Sequence, residues 1–196
     1  MLSTVRSLRK SRKIASVSMG AILPGSLSPE TASGPIESRR ASQMAHVLIT
    51  FHSQTGNTER MAGAIAAGVA ETDGSRANLK RALDTAAQDI RECDAIVFCS
   101  PEYFGYMAGA MKDLFDRTYE ELKDDRRSLK KPYCVAISAG NDGTGALTHI
   151  ERLCRGYRFK KVQNPIICKG PVTDGILAKC HELGRTVAEG VNAGIF

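Results

Sequence analysis

Residues 47–58 read VLITFHSQTGNT, and this stretch decides the fold of the chain. Its first part, residues 47–51, carries no charge and is mostly apolar, which is typical of a strand buried on both faces of a parallel sheet. Its second part, residues 53–58, holds three hydroxyl side chains and one glycine. Apolar residues spaced four apart then run from Met61 to Val69, which predicts a helix. A strand, a hydroxyl-rich loop and a helix together present backbone N–H groups and a positive dipole end to an anion.

The loop at residues 53–58 contains no lysine or arginine. A loop that binds nucleoside triphosphates ends in Gly-Lys-Ser/Thr, because its lysine reaches the β- and γ-phosphates, and this chain has no such ending here. The spaced glycines of dinucleotide-binding loops are also missing after this strand. We therefore expect the loop to hold one terminal phosphate through hydroxyls and amides, with Gly56 letting the backbone turn in closely.

The same six residues resemble the phosphate loop of flavodoxins, Ser/Thr-x-Thr-Gly-x-Thr, which grips the 5′-phosphate of FMN. An ordinary strand-to-helix turn is the alternative, because serine, threonine and asparagine are good N-caps. The resemblance implies that the following residues bind the cofactor: Ser53, Gln54, Thr55, Gly56, Asn57 and Thr58.

The rest of the chain alternates between strand and helix patterns. Such alternation predicts a parallel sheet with right-handed crossovers. Five units of this kind match an α/β, doubly wound, five-stranded parallel sheet of the flavodoxin-like type, with strand order 2-1-3-4-5. The predicted strands are 47–51, 75–80, 94–99, 133–138 and 166–169, and the predicted helices are 58–71, 85–92, 108–122, 147–154 and 173–191.

The loop after the third predicted strand, residues 100–107, reads SPEYFGYM. Its three aromatic rings suit contact with a flat ring system, although they are also typical of core or interface positions. The loop and the helix start that follows it resemble the flavodoxin-like NAD(P)H:quinone and FMN reductases, in which this loop borders the isoalloxazine ring. By that resemblance the predicted flavin contacts here are Pro101, Glu102, Tyr103, Phe104 and Gly105.

The loop after the fourth predicted strand, residues 138–145, reads SAGNDGTG. Its glycines suit a close approach of the backbone to a ligand, and a plain Asn-Asp-Gly turn is the alternative. The resemblance places this loop on the pyrimidine side of the flavin and implies contacts from Ala139, Gly140, Asn141 and Asp142.

The net charge of +6 is concentrated at the start of the chain. Residues 1–44 hold seven lysines or arginines and two acids, which leaves 20 basic and 19 acidic residues in 45–196. The chain is therefore divided into a basic, serine-rich, disordered leader, 1–44, and an FMN-binding domain, 45–196. The leader is either a mitochondrial transit peptide or an untargeted extension ahead of a start at Met44, and in the second case we expect a cytoplasmic protein.

The composition also bounds the chemistry. No two of the six cysteines have Cys-x-x-Cys spacing, and no histidine lies near a cysteine pair at zinc-finger spacing, so we expect no metal site. Cysteine inside apolar strands acts as a small hydrophobe. No apolar run approaches 18 residues, which excludes a membrane-spanning helix. The nearly neutral domain also lacks a basic patch of the kind that binds nucleic acid.

By resemblance, the predicted function is an FMN-binding oxidoreductase that passes electrons from NAD(P)H through FMN to a quinone-like acceptor. Hydride transfer to a flavin needs no protein base, so no catalytic residue is expected. His52 and His149 lie near the predicted loops, where packing roles are favoured over chemistry. A flavodoxin-type electron carrier and a non-redox binding module of the same fold remain as alternatives. The resemblance further implies a homodimer or homotetramer.

Overall fold

The computed structural model describes residues 44–196. The predicted leader, apart from Met44, lies outside the described residues, and the division of the chain at residue 44 stays a prediction. The strands are β1 (Ala45–Phe51), β2 (Ser75–Arg81), β3 (Ala95–Tyr103), β4 (Tyr106–Met107), β5 (Pro132–Ala139), β6 (Lys160–Lys161) and β7 (Ile166–Lys169). The helices are α1 (Asn57–Ala70), α2 (Ala87–Glu92), α3 (Gly109–Leu122), α4 (Thr144–Gly156) and α5 (Asp174–Asn192), with a 3₁₀ turn at Ala82–Asp84.

The main strands form one parallel sheet in the order β2-β1-β3-β5, and β6 and β7 pair with successive parts of β5. The predicted fifth strand is β7, and its bounds are those predicted. The predicted doubly wound order 2-1-3-4-5 is therefore confirmed, with β4 and β6 as two-residue additions. Strand β2 lies at the edge and pairs only with β1 among the described strands, which explains its polar sequence.

Helices cover both faces of the sheet. On one face Leu48 and Phe98 pack with α3 and α4, and on the other Ile49 and Val97 pack with α1 and α5. Every residue of β1 is buried. Because successive side chains of a strand point to opposite faces, a strand covered on both faces has no solvent side and reads as a continuous apolar run.

The structure corrects one predicted loop. Residues 100–107 do not form a loop, because β3 continues to Tyr103 and pairs antiparallel with β4. The two-residue turn between them holds Phe104 at φ 51° and Gly105 at φ 71°. Positive φ at both central residues is the turn geometry that matches the twist of a tight hairpin. The segment is therefore a β-hairpin that projects beyond the sheet.

Candidate functional site

A cavity of about 250 Å³ lies at the carboxyl edge of the sheet, where β1, β3 and β5 end. The helices that follow β1 and β3 lie on opposite faces of the sheet, and ligands of doubly wound folds bind at this point of reversal. The cavity is lined by Ser53, Gln54, Thr55, Asn57, Thr58, Pro101, Glu102, Tyr103, Ser138, Ala139, Gly140 and Gly170. Parts of all three predicted segments therefore meet around one space.

The segment after β1 begins α1 without a side-chain cap. Gly56 is the N-cap residue at φ 89°, and no side chain among the described residues caps the helix. The Ser53 hydroxyl instead accepts a hydrogen bond of 3.1 Å from the Gly56 amide, which closes the turn before the helix. The side chains of this segment therefore do not cap α1, although capping was the alternative role predicted for them. The first helical amides and the helix dipole face the edge of the sheet where the cavity lies.

The segment after β3 supplies three of its five predicted residues to the cavity wall: Pro101, Glu102 and Tyr103. Phe104 and Gly105 do not line the cavity, because they form the tip of the hairpin and the Phe104 ring is fully exposed. The base of the hairpin is held by buried Ser100, whose hydroxyl donates to the Pro101 carbonyl and accepts from the Ala108 amide at 3.0 Å.

The segment after β5 supplies two of its four predicted residues to the cavity wall. Ala139 and Gly140 line the cavity, whereas Asn141 and Asp142 are exposed and lie outside its wall. Asp142 Oδ1 accepts hydrogen bonds from the Thr144 amide at 2.8 Å and from the Thr144 hydroxyl at 2.7 Å. These bonds, the backbone one first, lower the pKa of the Asp142 carboxyl. Asp142 therefore stabilises the start of α4.

Glu102 connects the second and third segments. Its Oε2 accepts a hydrogen bond of 3.0 Å from the amide of Gly143, the N-cap residue of α4. Its Oε1 is buried and has no hydrogen-bond partner among the described residues. A buried carboxylate oxygen without a donor is uncommon in folded proteins.

The two histidines near the site have structural contacts. Burial, with the charge of Arg81 as a smaller cause, lowers the pKa of His52, so this ring is neutral near pH 7. Its ring meets Tyr103 edge to face, with 6.3 Å between centroids. His149 Nδ1 bonds the Gly145 carbonyl at 2.7 Å, so Nδ1 carries the proton, and its ring packs against Tyr106 with 4.3 Å between centroids. Tyr106, one of the three aromatics of the second segment, thus contacts α4.

All six cysteines are free and buried. Burial raises the pKa of the Cys93, Cys134 and Cys180 thiols to about 12, and it raises the pKa of the other three as well. The thiols are therefore protonated at neutral pH and are poor nucleophiles. Among residues 44–196, no three histidine, cysteine or acidic side chains are placed to hold a metal ion.

Two residues of the cavity wall, Ser138 and Gly170, were missed by the sequence analysis. Gly170 follows β7 at φ 73°, and its amide bonds the Ala139 carbonyl at 2.8 Å. The Gly170-Pro171 pair directly after a predicted strand was a usable turn signal.

A larger cleft of about 620 Å³ lies at the opposite edge, among the starts of β1, β3 and β5. It is lined by Ala45, Asp94 and Pro132, among others, and none of the three predicted segments reaches it. We place the candidate site in the smaller cavity, since ligands of this fold class bind at the carboxyl ends of the strands.

Comparison with known proteins gives a consistent result. The family described as NADPH-dependent FMN reductase matches residues 67–165, just over half of the chain, including the second and third segments. A protein described as flavodoxin from Aquifex aeolicus (strain VF5) is 25% identical over 164 residues, which cover 76% of this chain and 88% of that protein.

Solved structures support the fold. A flavodoxin from the domain Archaea superposes with a TM-score of 0.65 at 24% identity, covering 74% of this chain and 98% of that one. A flavodoxin, WrbA-like protein from Agrobacterium tumefaciens superposes with a TM-score of 0.63 at 18% identity, covering 76% of this chain and 98% of that one. In the part of the chain that the structure describes, no helix has the length and apolar character needed to cross a membrane.

Proposed function

Because this chain belongs to the NADPH-dependent FMN reductase family, we propose that it binds FMN in the carboxyl-edge cavity and passes electrons from NAD(P)H to a quinone or a similar acceptor. The observation that carries this proposal is the convergence of the three predicted segments around one cavity beside the uncapped start of α1. The flavin supplies the redox chemistry when bound, and the residues of the chain bind and orient it.

The start of α1 suits a terminal phosphate. Gly56 does not itself line the cavity, but its left-handed backbone forms the turn before α1, and there is open space where a Cβ would lie. Glu59, the acid of the first helical turn, is paired with Arg81 at 3.2 Å, so its charge is partly offset. His52 is neutral, so recognition of a phosphate here rests on amides, hydroxyls and the helix dipole.

The other end of the cavity suits a flat ring. Tyr103 lies at one side and the Ala139–Gly140 backbone at another, and a small residue such as Gly140 lets a ring approach the main chain. The cavity of about 250 Å³ is slightly below the roughly 300–1,000 Å³ of most ligand pockets. A ring bound here would keep part of its surface open to solvent. An open face gives a nicotinamide and then an acceptor access to the same atoms.

An electron carrier is the second candidate, and the 25% identity to a flavodoxin is the observation that favours it. Carriers gain from strong charge when they dock on redox partners, whereas residues 45–196 hold 20 basic and 19 acidic residues. The reductase is therefore the preferred proposal. Assembly into a dimer or tetramer also stays a proposal, which light scattering of the purified protein would test.

The test is a visible-absorbance titration of the protein with FMN, followed by anaerobic addition of NADPH or NADH and then of a small benzoquinone. Fast bleaching and reoxidation support the reductase, and bound flavin that neither nucleotide reduces supports the carrier. Thr55→Ala should weaken FMN binding about 10- to 100-fold, because a hydrogen bond to a charged group is lost. Thr148→Ala, at an exposed position on α4, is the matched control. Absence of FMN binding by the unaltered protein would refute the proposal.

A further inference from the structure

The carboxylate of Glu102 is fixed at one oxygen. Glu102 lies opposite Met107 at the base of the hairpin, and its Oε2 accepts from the Gly143 amide at 3.0 Å. Gly143 is the N-cap residue of α4, so this hydrogen bond joins the hairpin to the loop between β5 and α4. Both elements contribute to the wall of the cavity.

The partner amide has little freedom to move. Gly143 is buried at φ 76°, and a Cβ at this position would lie 2.5 Å from Ile167 Cγ2. Two residues further on, a Cβ at Gly145 would lie 2.0 Å from the Gly105 carbonyl oxygen. The hairpin and the start of α4 therefore touch at a second point. Because both sides are constrained, Oε2 is committed to Gly143.

The other oxygen, Oε1, is buried and lacks a donor among the described residues. Loss of hydration without a replacement hydrogen bond is unfavourable, and more so for a charged group. Glu102 is only partly buried as a residue and lines the cavity, so a molecule bound in the cavity contacts this side chain. A donor on a bound molecule would then satisfy Oε1.

We propose that Glu102 is a positioning residue with two partners, in which Oε2 holds the Gly143 amide and Oε1 accepts a hydrogen bond from an N–H or O–H group of the bound flavin. This inference rests on the proposed function and adds to it. Because the same carboxylate contacts both the bound flavin and the Gly143 amide, flavin binding also stabilises the contact between the hairpin and the start of α4. Flavin offers two kinds of donor, the ring N3–H and the ribityl hydroxyls.

Glu102→Gln separates the two contacts. The Gly143 N–H requires an acceptor, so the amide oxygen of glutamine takes the Oε2 position and its NH₂ group takes the Oε1 position. A donor then faces the donor of the flavin. We expect FMN affinity to fall about 10- to 100-fold, the effect of a lost hydrogen bond to a charged group. The melting temperature of the ligand-free protein should stay close to that of the unaltered protein. Glu120→Gln, at an exposed position near the far end of α3, is the control.

Two further measurements distinguish a hydrogen bond from Glu102 to the flavin from a purely structural role of this residue. Removing a negative charge beside the flavin should shift its midpoint potential to a more positive value, because the reduced ring carries more negative charge. Titration with 3-methyl-FMN, which lacks the N3–H, identifies the donor. If the ring donates, unaltered protein loses as much affinity for 3-methyl-FMN as Glu102→Gln loses for FMN. If only the variant loses affinity, a ribityl hydroxyl is the donor.

The outcomes are distinguishable. If the unaltered protein binds FMN and Glu102→Gln binds it within twofold, with an unchanged potential, the inference on Glu102 is wrong and the proposed function stands. If the unaltered protein does not bind FMN, the proposed function is wrong and the inference fails with it.

Discussion

Replacing Gly145 by alanine should separate the hairpin from α4. The added Cβ would lie 2.0 Å from the Gly105 carbonyl oxygen and 2.7 Å from its carbonyl carbon. Both are backbone atoms, so no side-chain rotation relieves the overlap. Because Cβ atoms essentially never approach another heavy atom within 3.0 Å, the hairpin must move by roughly 1 Å or more. Overpacking of this kind costs about 1–3 kcal/mol.

The cost should be visible in the stability of the ligand-free protein. For a protein of this size, about 1–3 kcal/mol lowers the melting temperature by about 2–12 °C. The same displacement moves Glu102 and Tyr103 relative to Gly140 across the cavity, so FMN affinity should fall as well. Circular dichroism melting and FMN titration measure the two effects.

Gly156→Ala is the matched control, since Gly156 ends the same helix and a Cβ there meets nothing within 4 Å. Alanine is favoured over glycine in helices by about 1 kcal/mol, so the control should be as stable as the unaltered protein or more so. Gly145→Ala protein that melts at or above the unaltered temperature and binds FMN equally well would refute the reasoning.

Three further predictions follow from other parts of the structure. A Cβ at Gly68 of α1 would lie 2.0 Å from the His181 carbonyl oxygen of α5, whereas a Cβ at Gly63 meets nothing within 4 Å. Urea unfolding should therefore show that Gly68→Ala lowers the free energy of unfolding by about 1–3 kcal/mol, and that Gly63→Ala leaves it unchanged or raises it. Burial, followed by the charge of Arg76, lowers the pKa of His46 from 6.5, so its contribution to stability is complete above pH 6.5 and is lost as the pH falls from there through the folded pKa. His46→Gln should therefore show a shallower loss of stability between about pH 7 and 5 in unfolding experiments, and an unchanged slope would contradict this. The six buried thiols should react slowly with a thiol reagent at pH 8 and react together in guanidinium, and a fast-reacting thiol in the native protein would disprove their burial.

The sequence by itself determined the elements that depend on neighbouring residues. The uncharged run of β1, the hydroxyl-rich segment after it and the spacing of apolar residues in α1 are local patterns, and they predicted this fold and the edge of the sheet at which the candidate site lies. The order of the main strands followed from the alternation of strand and helix, because right-handed crossovers leave few arrangements.

The tertiary structure alone decided which predicted residues face the cavity. Phe104 adopts a positive φ that phenylalanine rarely takes, so no local turn signal indicated the hairpin that carries it away from the cavity wall. The partner of Glu102 is 41 residues away in the chain, so no local pattern indicated it, whereas Asp142 bonds the Thr144 amide only two residues further on. Backbone periodicity predicts which elements form, but the direction of a side chain at a loop depends on donors and space supplied by distant elements, and these exist only once the sheet has assembled.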